Sequence, residues 1–233
     1  AYVRSGIARD VTDELTARGV DPDSVWPALK PLVVLEDRVY GFPGNANAHA
    51  VWYNKKLFDQ AGVPYPTSPW TWEEFIETAK RLTIRNERGQ PVQFGFIGYW
   101  DYKAALYQWG ADIFTPFGTR SALDSREAAD AMQFMEDLIF VHGITPSLDE
   151  EKSLATAGGW GTGPITLFGD ERGVMAIGGR WWLCILRDEA YDHLELGAVD
   201  MPCGPSCTIP GGGRSTLVNA RSENPEGALL FLE

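Results

Sequence analysis

The residue types that carry most enzyme chemistry are present in this chain, but not at the spacings that chemistry needs. His49, His142 and His193 stand far apart and form no HExxH pair, so a helix-borne zinc hydrolase has no basis. Gly211-Gly212-Gly213-Arg214-Ser215 lacks the Lys-Ser/Thr ending of a phosphate-cradling loop, and Gly161-Thr162-Gly163 is an incomplete dinucleotide fingerprint; both are expected to be turns. Gly204-Pro205-Ser206-Cys207-Thr208 misses the final glycine of a nucleophile elbow. Asp101 lies amid Tyr99, Trp100 and Tyr102, as a glycosidase acid or base would. Glycoside cleavage needs a second carboxyl at a defined separation, however, and no pair stands out. The sequence therefore calls for no metal, no cofactor and no catalytic residue, with a glycoside-active enzyme using Asp101 as the alternative.

What remains is a mixture of aromatic and neutral polar groups. Asn45, Asn47 and His49 precede one apolar run; Tyr99 and Trp100 follow another; Arg180, Trp181 and Trp182 follow Gly178-Gly179; and a glycine triplet, with Gly212 and Gly213, comes late. Sugar recognition uses this mixture. An indole face covers the C–H face of a pyranose, while amides, guanidinium groups and backbone supply directional hydrogen bonds to hydroxyls that lose their hydration.

Composition narrows the partners. The 233 residues are 44% hydrophobic and 22% charged, enough for a substantial core. A net charge of −12 repels nucleic acid and anionic membrane surfaces. The longest uncharged run, Ser153 to Gly169, holds five glycines and a proline, and a membrane span needs about 18 apolar residues in succession; no direct span is expected. Cys184, Cys203 and Cys207 are too few for a disulfide framework and match no zinc spacing. Cys203 and Cys207 flank a short loop, and spacing alone leaves their pairing open.

The elements that must position these residues are punctuated clearly. Thr71-Trp72-Glu73-Glu74 is a capping box, followed by a stripe of Trp72, Phe75, Ile76, Ala79 and Leu82. Asp124 with Glu127 is expected to open a long helix along Ala128, Ala131, Met132, Met135, Leu138 and Ile139, ending near Gly143. Asn54 and Gly62 bracket a short helix, and Asn224-Pro225 starts another. Strands are expected at 32–35 and 39–42 around a Glu36-Asp37 turn, and at 50–53, 94–97, 174–177 and 196–199. The clusters at 158–164 and 202–213 are expected to be loops. The alternation argues for an α/β class.

Ordered motifs across nearly the whole chain carry a resemblance. Val39-Tyr40-Gly41-Phe42-Pro43, Ala50-Val51-Trp52-Tyr53-Asn54-Lys55-Lys56-Leu57-Phe58, Ala61-Gly62-Val63 and Trp70-Thr71-Trp72-Glu73-Glu74-Phe75 together resemble the signature of the sugar-type extracellular solute-binding proteins of ABC importers, the maltose-binding-protein-like group. Phe168-Gly169 through Val174-Met175-Ala176-Ile177 and Gly178-Gly179-Arg180-Trp181 resembles that family's strand and Gly-x-Trp element. Gly211-Gly212-Gly213, then Asn224-Pro225-Glu226-Gly227-Ala228, resembles its closing segments.

The resemblance implies a two-lobed type II periplasmic-binding-protein fold, with 1–46 in a truncated first lobe, 47–199 forming a nearly complete second lobe and 200–233 returning to the first. Leu229 to Glu233 stops within a helical pattern, as a piece of a longer protein would. It implies a sugar held between lobes and passed to ABC permease transmembrane subunits by a monomer. The location would be periplasmic or extracellular, with lipid anchoring through a missing N-terminal segment one option. Carried over, Trp181 stacks on the sugar, Trp100 forms a second wall with Tyr99, and Asn45, Asn47, His49, Arg180, Gly212 and Gly213 supply the rest. Many relatives carry Asp and Arg where this chain has Asn47 and His49, which points toward weaker hydroxyl recognition or another ligand, and other solutes such as glycerol phosphates share the scaffold. Cys203 and Cys207 are unusual for the family and, if bridged, would stiffen the second crossing.

Overall fold

The computed structural model describes residues 2–98, 102–115, 118–154, 162–209 and 211–232. The chain forms two compact units, Ala1–Ala48 with Gly211–Glu233, and His49–Pro210. Nine strands occur among the described residues: β1 Val34–Leu35, β2 Arg38–Val39, β3 Phe42–Ala48, β4 Ala50–Asn54, β5 Ile84–Arg85, β6 Pro91–Ile97, β7 Gly173–Gly178, β8 Leu196–Val199 and β9 Gly211–Thr216.

The larger unit is built on a sheet of order β5-β6-β7-β4-β8, in which β6 runs parallel to β7 and the other pairs are antiparallel. All six residues of β7 are buried, as a strand covered on both faces requires. The helices Trp72–Leu82, Tyr102–Gln108 and Arg126–Phe140 cover one face through Phe75, Ala79, Leu106 and Leu138. Ile165, Phe168, Trp182 and Leu186 gather with Trp52 and Ala176 in a separate cluster, giving an α/β/α layering.

Local chemistry fixes the helix ends. The Thr71 hydroxyl accepts from the Glu74 N–H at 3.2 Å, and the Glu74 carboxylate accepts from the Thr71 N–H at 2.7 Å. Asn54 accepts from the Leu57 N–H at 3.4 Å, and Gly62 ends that helix at φ 63°. The long helix starts one residue later than expected. Ser125, not Asp124, is its N-cap, its hydroxyl accepting from Ala128 N–H at 3.2 Å. Both residue types cap well, and the Ser125 side chain is the one placed three residues before that amide. Met132, expected on the apolar stripe, is exposed.

Several expected loops are ordered elements. Gly211–Thr216 is strand β9 rather than a turn, paired antiparallel with β3 as a two-stranded ribbon in the smaller unit. Gly163 and Pro164 belong to the helix Thr162–Gly169, where proline is tolerated because the first turn's N–H groups have no helical acceptor; residues 158–161 lie outside the described residues. Conversely, the run 32–35 is helical through Val33 and extended only at β1, because Pro31 presets the φ of the helix Lys30–Val33. The expected 39–42 strand is split between β2 and β3. Glu36 and Asp37 both take positive φ, 51° and 59°, the geometry of a two-residue hairpin turn. The core of this unit joins Val11, Leu15, Val39, Val218 and Leu229, and Asn224 caps the closing helix by accepting from Gly227 N–H at 2.9 Å.

The end of β4 is pinned electrostatically. Glu171 accepts from the Lys56 ammonium at 2.9 Å and from the Asn54 amide at 3.3 Å. Burial pushes its carboxyl upward, but those hydrogen bonds and the Lys56 charge together outweigh it, leaving the group below its ordinary value of 4.5. A depressed carboxylate stabilises the fold above the unfolded value, and that contribution is lost as pH falls through the lowered one. The stability gap between wild type and Glu171→Gln, measured by urea unfolding, is therefore expected to hold from neutrality down to about pH 4.5 and to shrink below it; a gap that widens in acid would contradict the pairing.

Candidate functional site

Two glycines and two tryptophans make the most specialised corner of the larger unit. β7 ends at Gly178, and the chain turns through Gly179 into a short 3-10 turn, Arg180–Trp182. An ideal Cβ on Gly178 would lie 2.7 Å from the Trp182 indole, and one on Gly179 only 1.7 Å from Trp181 Cζ3. Each glycine is thus the seat of one ring. The consequences for the two rings are opposite. Trp182 is 6% exposed and packs toward Phe168, with ring centroids 6.1 Å apart, whereas Trp181 is 41% exposed.

His49 completes this corner. Ala50 pairs with Gly178, so the residues just past each strand end, His49 and Gly179, become neighbours. The His49 ring meets Trp181 edge to face, centroids 5.5 Å apart at 65°. The Trp52 indole N–H donates to the Gly178 carbonyl at 3.1 Å and holds the strand end that carries both rings. Arg180 is exposed on the same turn.

Asn45, Asn47, Gly212 and Gly213 come together in the smaller unit. Asn47 pairs with Gly212 and Ala46 with Gly213 across the β3–β9 ribbon. The Asn45 side-chain oxygen accepts from Arg214 N–H at 2.8 Å, which spends that oxygen on the ribbon while leaving the residue exposed. A Cβ on Gly213 would lie 2.4 Å from the Asn45 carbonyl oxygen and 3.0 Å from Leu29, so Gly213 permits close strand approach, whereas Gly211 has room for a side chain. Tyr99 and Trp100, and the alternative acid Asp101, lie outside the described residues.

One feature left open by the sequence is settled: Cys203 and Cys207 form a disulfide with Cα atoms 4.4 Å apart. Residues 200–209 pack with the larger unit, Cys203 N–H donating to the Trp70 carbonyl at 2.9 Å. Chemically, these groups can stack and hydrogen-bond. No group of three or more His, Cys, Asp or Glu able to hold a metal occurs among the described residues, and no described helix is long and apolar enough to cross a membrane.

The family described as bacterial extracellular solute-binding protein matches residues 1–168. A binding protein of Brucella abortus is 31% identical over an alignment of 249 residues, covering all of this chain and 54% of that protein. The arabinooligosaccharide-binding protein of Halalkalibacterium halodurans is 30% identical over 113 residues, 48% of this chain and 25% of its own length. Among solved structures, an ABC substrate-binding protein of Listeria monocytogenes in complex with cycloalternan superposes with a TM-score of 0.82 at 22% identity, covering 99% of this chain and 57% of that one. This chain therefore spans about half the length of such relatives or less. The structural likeness identifies the mixed α/β fold as that of type II periplasmic binding proteins.

Proposed function

Since this chain belongs to the bacterial extracellular solute-binding proteins, we propose that the whole protein captures a sugar or oligosaccharide outside the cytoplasmic membrane and delivers it to the permease of an ABC importer, breaking no bond. The observation that carries the sugar reading is Trp181, an indole left 41% exposed yet held in one orientation by Gly179 and His49. Such a preset ring covers a pyranose C–H face without a large ordering cost. Asn45, Asn47, Arg180, Gly212 and Gly213 supply hydrogen-bonding groups to the hydroxyls, and Tyr99 and Trp100 a second aromatic wall. The ligands named for the Halalkalibacterium and Listeria relatives, arabino-oligosaccharide and cycloalternan, support this class.

In this reading the smaller unit is part of a first lobe and the larger unit a second lobe. The ligand favours the closed state because it contacts both lobes only there. Shifting such an equilibrium from 1:99 to 99:1 takes about 5.5 kcal/mol of differential binding. The test is titration of the full-length protein with arabino-oligosaccharides and cycloalternan, followed by tryptophan fluorescence and reducing-end assay. Saturable quenching without new reducing ends is expected; release of reducing ends, or no binding across the panel, would overturn the proposal.

A further inference from the structure

Gln108 ends the helix Tyr102–Gln108, and its side chain is wholly buried. Its amide nitrogen donates to two backbone carbonyls, Pro202 at 3.0 Å and Thr208 at 3.1 Å, while its Oε1 accepts from the Trp72 indole N–H at 2.7 Å. An amide nitrogen has two N–H groups to give, and here both go to the chain on either side of the Cys203–Cys207 bridge. The bridged loop is seated by further contacts. Trp72 N–H donates to the Cys203 carbonyl at 3.3 Å, and Ser206 N–H to the Gln108 backbone carbonyl at 3.0 Å. Gly204 lies against the Trp109 indole, where a Cβ would be 3.0 Å from Cζ3.

The two restraints differ in kind. The disulfide ties the loop's stems to each other, and Gln108 ties both stems to the larger unit. Removing the amide would leave the buried Pro202 carbonyl and Trp72 indole N–H, and the part-buried Thr208 carbonyl, without this partner, and the loss at the two buried groups costs more than the bonds themselves are worth in water. Just beyond Thr208 the chain passes to the smaller unit, at Pro210–Gly211.

We propose that Gln108 and the Cys203–Cys207 bridge form a latch that fixes the end of the larger unit at Thr208, confining bending at this crossing to the residues that follow, and that Gln108 is thereby a positioning residue for ligand capture. The proposal rests on the solute-binding function above. Hinge motion absorbed by a few residues keeps its geometry only if the chain on one side is immobile. Disulfides persist in oxidising compartments, so the latch is complete there and half-made in a reduced protein.

The experiment compares amide hydrogen exchange and sugar affinity of the full-length protein in four states: oxidised, reduced with dithiothreitol, Gln108→Leu and Cys203→Ser/Cys207→Ser. The sugar is whichever panel member quenches the wild type, titrated well below the unfolding temperature. Exchange at the Cys203 and Ser206 amides is expected to rise about tenfold or more in every state but the oxidised wild type, while β4 and β7 amides keep their protection, and affinity is expected to fall about tenfold. A purely structural role would lower the melting temperature and leave the affinity of the folded protein unchanged. Unchanged exchange at Cys203 and Ser206 overturns the latch; faster exchange with unchanged affinity overturns the positioning role. If Gln108→Leu does not fold, Gln108→Met, which keeps the side-chain length and removes both N–H donors, decides the part of Gln108, and the reduced wild type decides the part of the bridge. If the wild type binds no panel sugar, the function proposed above fails, and the exchange comparison alone decides the latch.

Discussion

Replacing Trp181 with alanine is expected to weaken sugar binding by about 10- to 100-fold, a loss of roughly 1.4–2.8 kcal/mol, while the melting temperature stays almost unchanged. Tryptophans in the centre of a binding surface commonly cost ~2 kcal/mol or more on truncation. Trp181 contributes little to the core of the larger unit, being the exposed partner of a pair whose other member, Trp182, is buried among Phe168, Ile165 and Leu186. Trp182→Ala should therefore do the reverse. Emptying a buried indole site costs about 3–5 kcal/mol, which lowers the melting temperature of a chain this size by roughly 6 °C or more, and protein that remains folded keeps its Trp181 surface. Calorimetry and thermal melts on both variants decide the matter. Equal affinity for wild type and Trp181→Ala would remove this residue from the site, and a Trp181→Ala melt as low as that of Trp182→Ala would make the ring structural.

The contrast between these neighbours marks where sequence reasoning stops. The capping box at Thr71 and Glu74, the Asn54 and Asn224 caps and the Gly62 helix end were all legible, because each is chemistry between residues three or four apart. The ribbon was not. Its register depends on Asn45 meeting Arg214, 169 positions away, and a strand of glycines carries no β-propensity of its own. The apolar run at 32–35 is too short for periodicity to separate helix from strand, and Pro31 decided it. Trp181 and Trp182 after Gly178-Gly179 stand out in the sequence as aromatic candidates, but which of them turns outward is set by the 3-10 turn after β7, not by strand alternation. His49 stands out in the sequence with Asn45 and Asn47 because they share one stretch of chain, whereas its contact with Trp181 follows from the β4–β7 register, which local sequence does not show. Gln108 left no usable signal, since one polar residue at the end of an apolar helix is ordinarily surface.

A stability loss comparable with that of Trp182→Ala is expected from Gly95→Ala. Gly95 lies in β6 where the strand passes under the helix Trp72–Leu82, and an added Cβ would fall 1.9 Å from the Ala79 carbonyl oxygen and 2.5 Å from its carbon. The obstacle is backbone, so no rotamer change relieves it. Moving the helix away is also costly: Gly95 N–H donates to Thr83 Oγ1 at 3.0 Å, the Gln93 amide donates to the Leu82 carbonyl at 2.8 Å, and Phe75, Ala79 and Leu82 are buried against the sheet. Overpacking by one methyl typically costs ~1–3 kcal/mol. With a main-chain obstacle and two hydrogen bonds at stake, about 3 kcal/mol or more is expected, a drop of roughly 6 °C or more in melting temperature. Gly62→Ala is the calibrating variant. Gly62 has open space around its Cα but a φ of 63°, so alanine there pays only the left-handed backbone cost of about 1–2 kcal/mol. Gly95→Ala melting below Gly62→Ala would show that contact distance, not conformational freedom, selects glycine in β6; the opposite order would mean that helix and strand yield to each other far more easily than their hydrogen bonds imply.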